Sequence, residues 1–138
     1  MIRIIDSSVF IKWFVHETGH EEALEWIDDE TTFMAPNLLI CEVANIAWKK
    51  IRRGAIDPQD GYDIVFRCAG GPIEFIPDKM LALAAWRISR ALDHPAYDCV
   101  FLAAAESVNA RLLTADTRLA ATLARTPYEP YVQNLIPG

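Results

Sequence analysis

Four acidic residues, Asp6, Glu42, Asp98 and Asp116, stand where apolar sequence meets a polar edge. Their settings are Ile4-Ile5-Asp6-Ser7-Ser8, Leu39-Ile40-Cys41-Glu42-Val43-Ala44-Asn45, Ala96-Tyr97-Asp98-Cys99-Val100 and Leu112-Leu113-Thr114-Ala115-Asp116. A carboxylate in apolar surroundings is costly to bury unless positive charge compensates it. Several that converge make a site for a hard cation such as Mg²⁺ or Mn²⁺, which prefers oxygen ligands. Such a site can hydrolyse a phosphodiester without any nucleophilic side chain. No Ser–His–acid or Cys–His pattern offers a rival chemistry, and the chain has only three histidines.

Taken singly, each acid has a plainer role. Asp6 and Asp116 suit helix caps. Asp98, shortly after Pro95, falls in a first turn, where the helix dipole favours a carboxylate. Glu42 is harder to explain away, since its helix holds few other polar groups, although a solvated face is open to it. The conjunction is more specific than any member.

The elements that must position these acids alternate between short β-like runs and longer helical ones. Arg3–Ile5, Thr32–Ala35, Ile73–Ile76 and Arg111–Thr114 read as strands, and Tyr131-Val132 as a short fifth. Helices are expected over Val9–Phe14, Glu21–Asp28, Leu38–Arg53, Pro58–Ala69, Lys79–Leu92, Ala96–Asn109 and Thr117–Arg125. Asp57, Asp78 and Asp116 are their expected caps, Pro58 suits a first turn and Gly54 a helix end. The alternation predicts an α/β domain with a parallel sheet covered on both faces. Ligands of such sheets collect beyond the carboxyl ends of the strands. Asp6 and Asp116 follow strands, and Glu42 and Asp98 lie near the beginnings of helices, so all four can meet at that edge.

The chain has 138 residues, 52% of them hydrophobic, which is enough for one domain with a real core. We expect that domain to occupy residues 1–138. No apolar run approaches the ~20 residues of a membrane span. The apolar start is also too short for a signal peptide, so a cytoplasmic protein is expected. Cys41, Cys68 and Cys99 are odd in number and form no Cys-x-x-Cys pair. They read as small core residues in apolar helices. The net charge of −6 argues against nucleic-acid binding that rests mainly on counterion release. It does not exclude a nuclease, because bound cations reverse the charge of a carboxylate cluster locally.

The four motifs, in order and spacing, resemble those of the PIN-domain nucleases, and among them the VapC toxins of toxin–antitoxin operons. The resemblance covers essentially the whole chain. It rests on Ile5-Asp6-Ser7-Ser8-Val9 with Lys12-Trp13-Phe14, Ala35-Pro36-Asn37-Leu38-Leu39 leading to Glu42-Val43-Ala44-Asn45, Tyr97-Asp98 through Glu106, and Leu113-Thr114-Ala115-Asp116-Thr117-Arg118-Leu119. It implies a three-layer α/β/α fold with a mainly parallel sheet of four to five strands, and an Mg²⁺- or Mn²⁺-dependent endoribonuclease. It assigns metal binding and catalysis to Asp6, Glu42, Asp98 and Asp116. It also suggests supporting roles for Ser8, Asn45 and Thr114. A hydroxyl two residues from a ligand aspartate can orient it, though Ser8 and Thr114 suit local capping equally. The partners implied are an RNA substrate, a small VapB-like antitoxin that sends a basic residue into the acidic pocket, and a second copy in a homodimer.

Lys49, Lys50, Arg52 and Arg53 form the one basic cluster, at a helix end where the dipole favours cations. An RNA-backbone contact or an acidic partner is the alternative. Lys12, one turn beyond Ser8, is a candidate phosphate contact. His16 and His20 are interrupted by Gly19 and make a poor zinc site, and His94 beside Pro95 reads as a turn residue. Most of Trp13, Phe14, Trp26 and Trp48 should pack in the core. Competing classes are a phosphoacceptor receiver domain, a binding module without catalysis, and an RNA-processing nuclease outside toxin–antitoxin systems. The first of these lacks its acidic pair, since Asp6 is followed by two serines.

Overall fold

Short runs of β-branched and aliphatic residues become the strands of one five-stranded sheet in the computed structural model, which describes residues 1–137. The strands are β1 (Ile2–Ile5), β2 (Thr32–Pro36), β3 (Glu74–Ile76), β4 (Arg111–Thr114) and β5 (Val132–Asn134). Their order is β3-β2-β1-β4-β5, and every pairing is parallel. Ile4, Ile5, Leu112 and Leu113 are wholly buried at its centre, as expected of a parallel sheet covered on both faces.

The connections are helical: α1 (Ser7–Phe10), α2 (His20–Glu25), α3 (Leu38–Arg52), α4 (Pro58–Gly70), α5 (Asp78–Leu92), α6 (Ala96–Ser107) and α7 (Thr117–Leu123). Helix α6 packs on β1, β2 and β4 with α5 against it, while α3 packs on β2 and α1 with α4 against it. Helices thus flank the sheet, and the expected α/β/α architecture stands. Cys99 and every residue of the run from Phe101 to Ala105 are buried, which makes α6 the central helix. Three consecutive alanines let it approach its neighbours closely.

Several details differ from expectation. The helix expected over Val9–Phe14 is α1 followed by a 3-10 turn at Ile11–Trp13. There Phe10 packs edge-on against Trp13 and tilted against Phe14, with ring centroids 5.4 and 5.1 Å apart. Asp78 does not cap its own helix. Strands β2 and β3 end side by side, with Pro36 opposite Ile76, so Asp78 accepts a hydrogen bond from the Leu38 N–H of α3 at 3.1 Å. Helices α6 and α7 stop short at Ser107 and Leu123, before residues of positive φ, Asn109 at 49° and Arg125 at 63°. Tyr131 belongs to a 3-10 turn and β5 runs on to Asn134. Cys41 is exposed and not a core residue, because it lies on the outward face of α3; Cys68 and Cys99 are buried. Trp48 and Phe14 are also exposed.

Candidate active site and metal centre

The sheet order reverses beside β1. The chain moves from β1 to β2 to β3 on one side and returns to place β4 on the other, which leaves a crevice at the carboxyl ends of β1 and β4. Ile5 pairs with Leu113, so Asp6 and Thr114 emerge next to each other. The Thr114 hydroxyl, fully buried, donates to Asp6 Oδ2. Ser8 Oγ donates to Asp6 Oδ1 at 2.5 Å, and the Val9 N–H donates to the same oxygen at 3.2 Å. Ser8 Oγ also accepts from the Ala115 N–H at 2.9 Å, and Thr114 Oγ1 accepts from the Asp116 N–H at 3.0 Å. Both hydroxyls therefore orient Asp6 and pin the turn after β4.

Asp116 is the exposed N-cap of α7; its Oδ1 accepts from the N–H groups of Arg118 and Leu119 at 3.0 and 3.2 Å. Glu42, in the second turn of α3, accepts from Ser7 Oγ through Oε1 at 3.2 Å. Asp98, in the first turn of α6, meets His94 Nε2 through Oδ2 at 2.7 Å. His94 is itself clamped. Its carbonyl accepts from Ser89 Oγ at 2.6 Å, its N–H donates to the Ser89 carbonyl at 3.1 Å, and Asp93 before it turns the chain at φ 50°.

All four acids line one pocket of about 100 Å³, with Ser7, Ser8, Phe101, Leu112 and Leu119. Burial, helped by the charges of Asp6 and Asp98, raises the Glu42 carboxyl to about 7 against the Ser7 hydrogen bond. Burial also raises Asp6, and the Asp116 charge adds to it, against the hydrogen bonds from Ser8, Thr114 and Val9. Among the described residues no Lys or Arg forms an ion pair with any of the four. A larger depression along His16–Glu22, about 530 Å³, also gathers acids. There, however, Glu17 is already neutralised by Lys12 at 3.0 Å and Lys50 at 2.7 Å.

The donor set is all carboxylate oxygen, which fits a hard divalent cation and not a soft one. Glu42 Oε2, Asp98 Oδ1 and Asp116 Oδ2 accept no hydrogen bond among the described residues. No three Asp, Glu, His or Cys side chains of those residues stand close enough to enclose one ion. The four carboxylates ring the pocket without converging on one point.

Of the other expected residues, Ser8 and Thr114 reach the site. Asn45 is exposed on α3 and its side chain makes no hydrogen bond among the described residues. Lys12 is held by Glu17 and does not line the pocket. His94, read as a turn residue, is instead a partner of Asp98, and Ser7 is a partner of Glu42. The i, i+4 spacing from His94 to Asp98 is visible in the sequence. Pro95 between them disguises it, because the helix begins only after His94.

The PIN domain family matches residues 3–123. The chain belongs to the PIN domain family. Solved structures agree with this PIN domain over nearly their whole length. The structure of VapBC2 from Rickettsia felis bound to a promoter DNA fragment superposes with a TM-score of 0.69 at 14% identity, covering 97% of this chain and 98% of that one. A toxin–antitoxin complex from Klebsiella pneumoniae gives 0.68 at 18% identity, covering 97% and 98%. VapC20 of Mycobacterium tuberculosis, a toxin that cleaves the sarcin–ricin loop, gives 0.67 at 14% identity, covering 86% and 93%. At these identities the likeness is one of fold. Comparison with curated protein sequences finds no significant match.

Proposed function

We propose that this PIN domain is an Mg²⁺- or Mn²⁺-dependent endoribonuclease acting as the toxin of a toxin–antitoxin pair. The observation that carries the reading is the four-acid pocket at the β1–β4 crevice, which no lysine or arginine neutralises among the described residues. Asp6, Glu42, Asp98 and Asp116 would hold the cation. When bound, it supplies a Lewis acid that lowers the pKa of water and neutralises phosphoryl charge.

The chain's own groups divide the remaining work. Ser8, Thr114 and the Val9 N–H fix Asp6 so that loading costs little reorganisation. Glu42 is the carboxyl that is part-protonated near neutral pH and must release its proton on loading. Phe101, Leu112 and Leu119 line the pocket with apolar surface, which strengthens electrostatics inside it. Water attacks phosphorus, the bond to the 3′ oxygen breaks, and that oxygen takes a proton. The products carry a 5′-phosphate and a 3′-hydroxyl.

The toxin assignment is supported by family membership and by fold likeness to toxin–antitoxin complexes across whole chains. The expected inhibitor is a VapB-like protein that brings a cation to the pocket, and the expected assembly is a homodimer in the cytoplasm. No helix of the described residues is long and apolar enough to cross a membrane.

The test is digestion of total RNA by the partner-free chain in Mg²⁺, Mn²⁺ or EDTA, beside Asp98→Asn. Discrete metal-dependent fragments with 5′-phosphates, lost in the variant, support the reading. Ends bearing 2′,3′-cyclic phosphate exclude water as the nucleophile. Cleavage without growth arrest on expression would favour an RNA-processing nuclease outside toxin–antitoxin systems.

A further inference from the structure

We propose that the exposed face of α3, from Asn45 to Arg53, is the track along which a single-stranded RNA reaches the acid pocket. This rests on the ribonuclease reading and extends it to substrate binding. Lys49 and Arg53 follow Glu42 at i+7 and i+11, so the three share one stripe of the helix. Asn45, Trp48 and Arg52 flank that stripe, and all of these residues beyond Glu42 are exposed. The stripe spans ~16 Å of helix, at 1.5 Å per residue, and leads to the carboxylate without leaving the element.

The charges on this face are uncommitted. Lys50 is tied to Glu17 at 2.7 Å, but Lys49, Arg52 and Arg53 form no ion pair among the described residues. In a chain of net charge −6, whose pocket repels a polyanion, these cations supply local compensation where a phosphate backbone would pass. The helix dipole explains cations at this end of α3. It does not explain Trp48, which is 52% exposed with the Arg52 guanidinium 4.9 Å from its ring centre. An exposed aromatic platform beside unpaired cations matches sequence-tolerant single-strand binding, where bases stack and phosphates pair. On α5 the exposed Trp86 also carries a guanidinium, Arg90, 5.3 Å from its ring centre, but Arg87 there is tied to Glu106 and no pocket acid lies on that helix.

The experiment measures binding of a fluorescein-labelled single-stranded RNA in Mg²⁺, using the Asp98→Asn chain so that nothing is cut, across a salt series. Lys49→Gln/Arg52→Gln/Arg53→Gln should weaken binding at least ~10-fold at low salt. It should also flatten the log–log salt slope by about 2, from ~0.7 per lost phosphate contact. Trp48→Ala should weaken binding roughly 10-fold and leave the slope unchanged. Arg111→Gln, an exposed cation at the start of β4 and so at the sheet edge opposite the pocket, serves as the surface control, and circular dichroism confirms the fold of each variant. In the cleavage-competent chain the triple variant should raise KM and leave kcat nearly intact. Unchanged slope and KM in a folded, RNA-cleaving triple variant would overturn the track and leave the nuclease standing. Loss of a co-purifying protein partner with RNA binding intact would assign the face to that partner and overturn it equally. If neither parent nor variant binds RNA and the unmodified chain cuts none, track and nuclease fall together.

Discussion

His94 holds Asp98 from outside the pocket, through a 2.7 Å contact that reaches over Pro95. Groups that orient a ligand carboxylate typically contribute 10- to 100-fold in metal affinity. His94→Ala should therefore weaken Mg²⁺ or Mn²⁺ binding by about that factor in titration calorimetry, and His94→Gln should recover part of it. Equal affinity in all three chains would show that Asp98 needs no such support. Glu42 carries a pH signature. Its carboxyl sits near 7 in the fold, against 4.5 ordinarily, so the native state binds the extra proton between those values. Stability of the metal-free chain should fall as pH rises from about 4.5 to about 7, by at most ~1.4 kcal/mol per pH unit. Glu42→Gln should flatten that slope in urea melts, and saturating Mg²⁺ should reverse it. At this scale the four acids were legible because each lies in a short, local motif. Ser7 and His94 are harder to read, because Ser7 meets Glu42 only once α1 and α3 are packed together and Pro95 disguises the spacing from His94 to Asp98.

Helix α3 joins the site to the outer layer, and two of its contacts set its position. Glu17 bridges Lys12 and Lys50, which ties the loop after α1 to the end of α3. Burial works against the Glu17 charge, but the hydrogen bonds from Lys50 and Lys12 prevail and hold its carboxyl below the ordinary value. That stabilisation is present above about 4.5 and is lost as pH falls through the folded value, opposite in sign to the Glu42 effect. Glu17→Gln should cost about 1–3 kcal/mol at neutral pH by chemical denaturation, since two partly buried lysines lose their partner. Where α3 meets α4, a Cβ on Gly61 would stand 2.7 Å from Ile51 Cδ1. Gly61→Ala should be near neutral, because the end of Ile51 can rotate and a helical glycine is relieved. Gly61→Val should cost about 1–3 kcal/mol by overpacking. Helices and strands were readable from period and caps. Asp78 serves α3 and not the helix it begins, because the start of α3 lies beside it only once β2 and β3 are paired.

At the level of the molecule, parallel order and the crevice followed from alternating elements, yet the sequence says nothing of which strand lies beside which. The order β3-β2-β1-β4-β5 puts β1 at the centre, paired first with the strand that follows it and then with one more than a hundred residues later. Asp6 and Thr114 face each other only through that second pairing. The consequence is one of timing during translation. A nascent chain that has emerged through α5 carries Asp6 and Glu42, lacks Asp98, Thr114 and Asp116, and leaves one long edge of β1 open. Residues 1–95 expressed alone, which lack Asp98, Thr114 and Asp116, should accordingly show no cation-dependent heat, cut no RNA and self-associate through that edge. The acid pocket is therefore completed only when the start of α7 has been made, and any nascent chain short of that point lacks part of its carboxylate set.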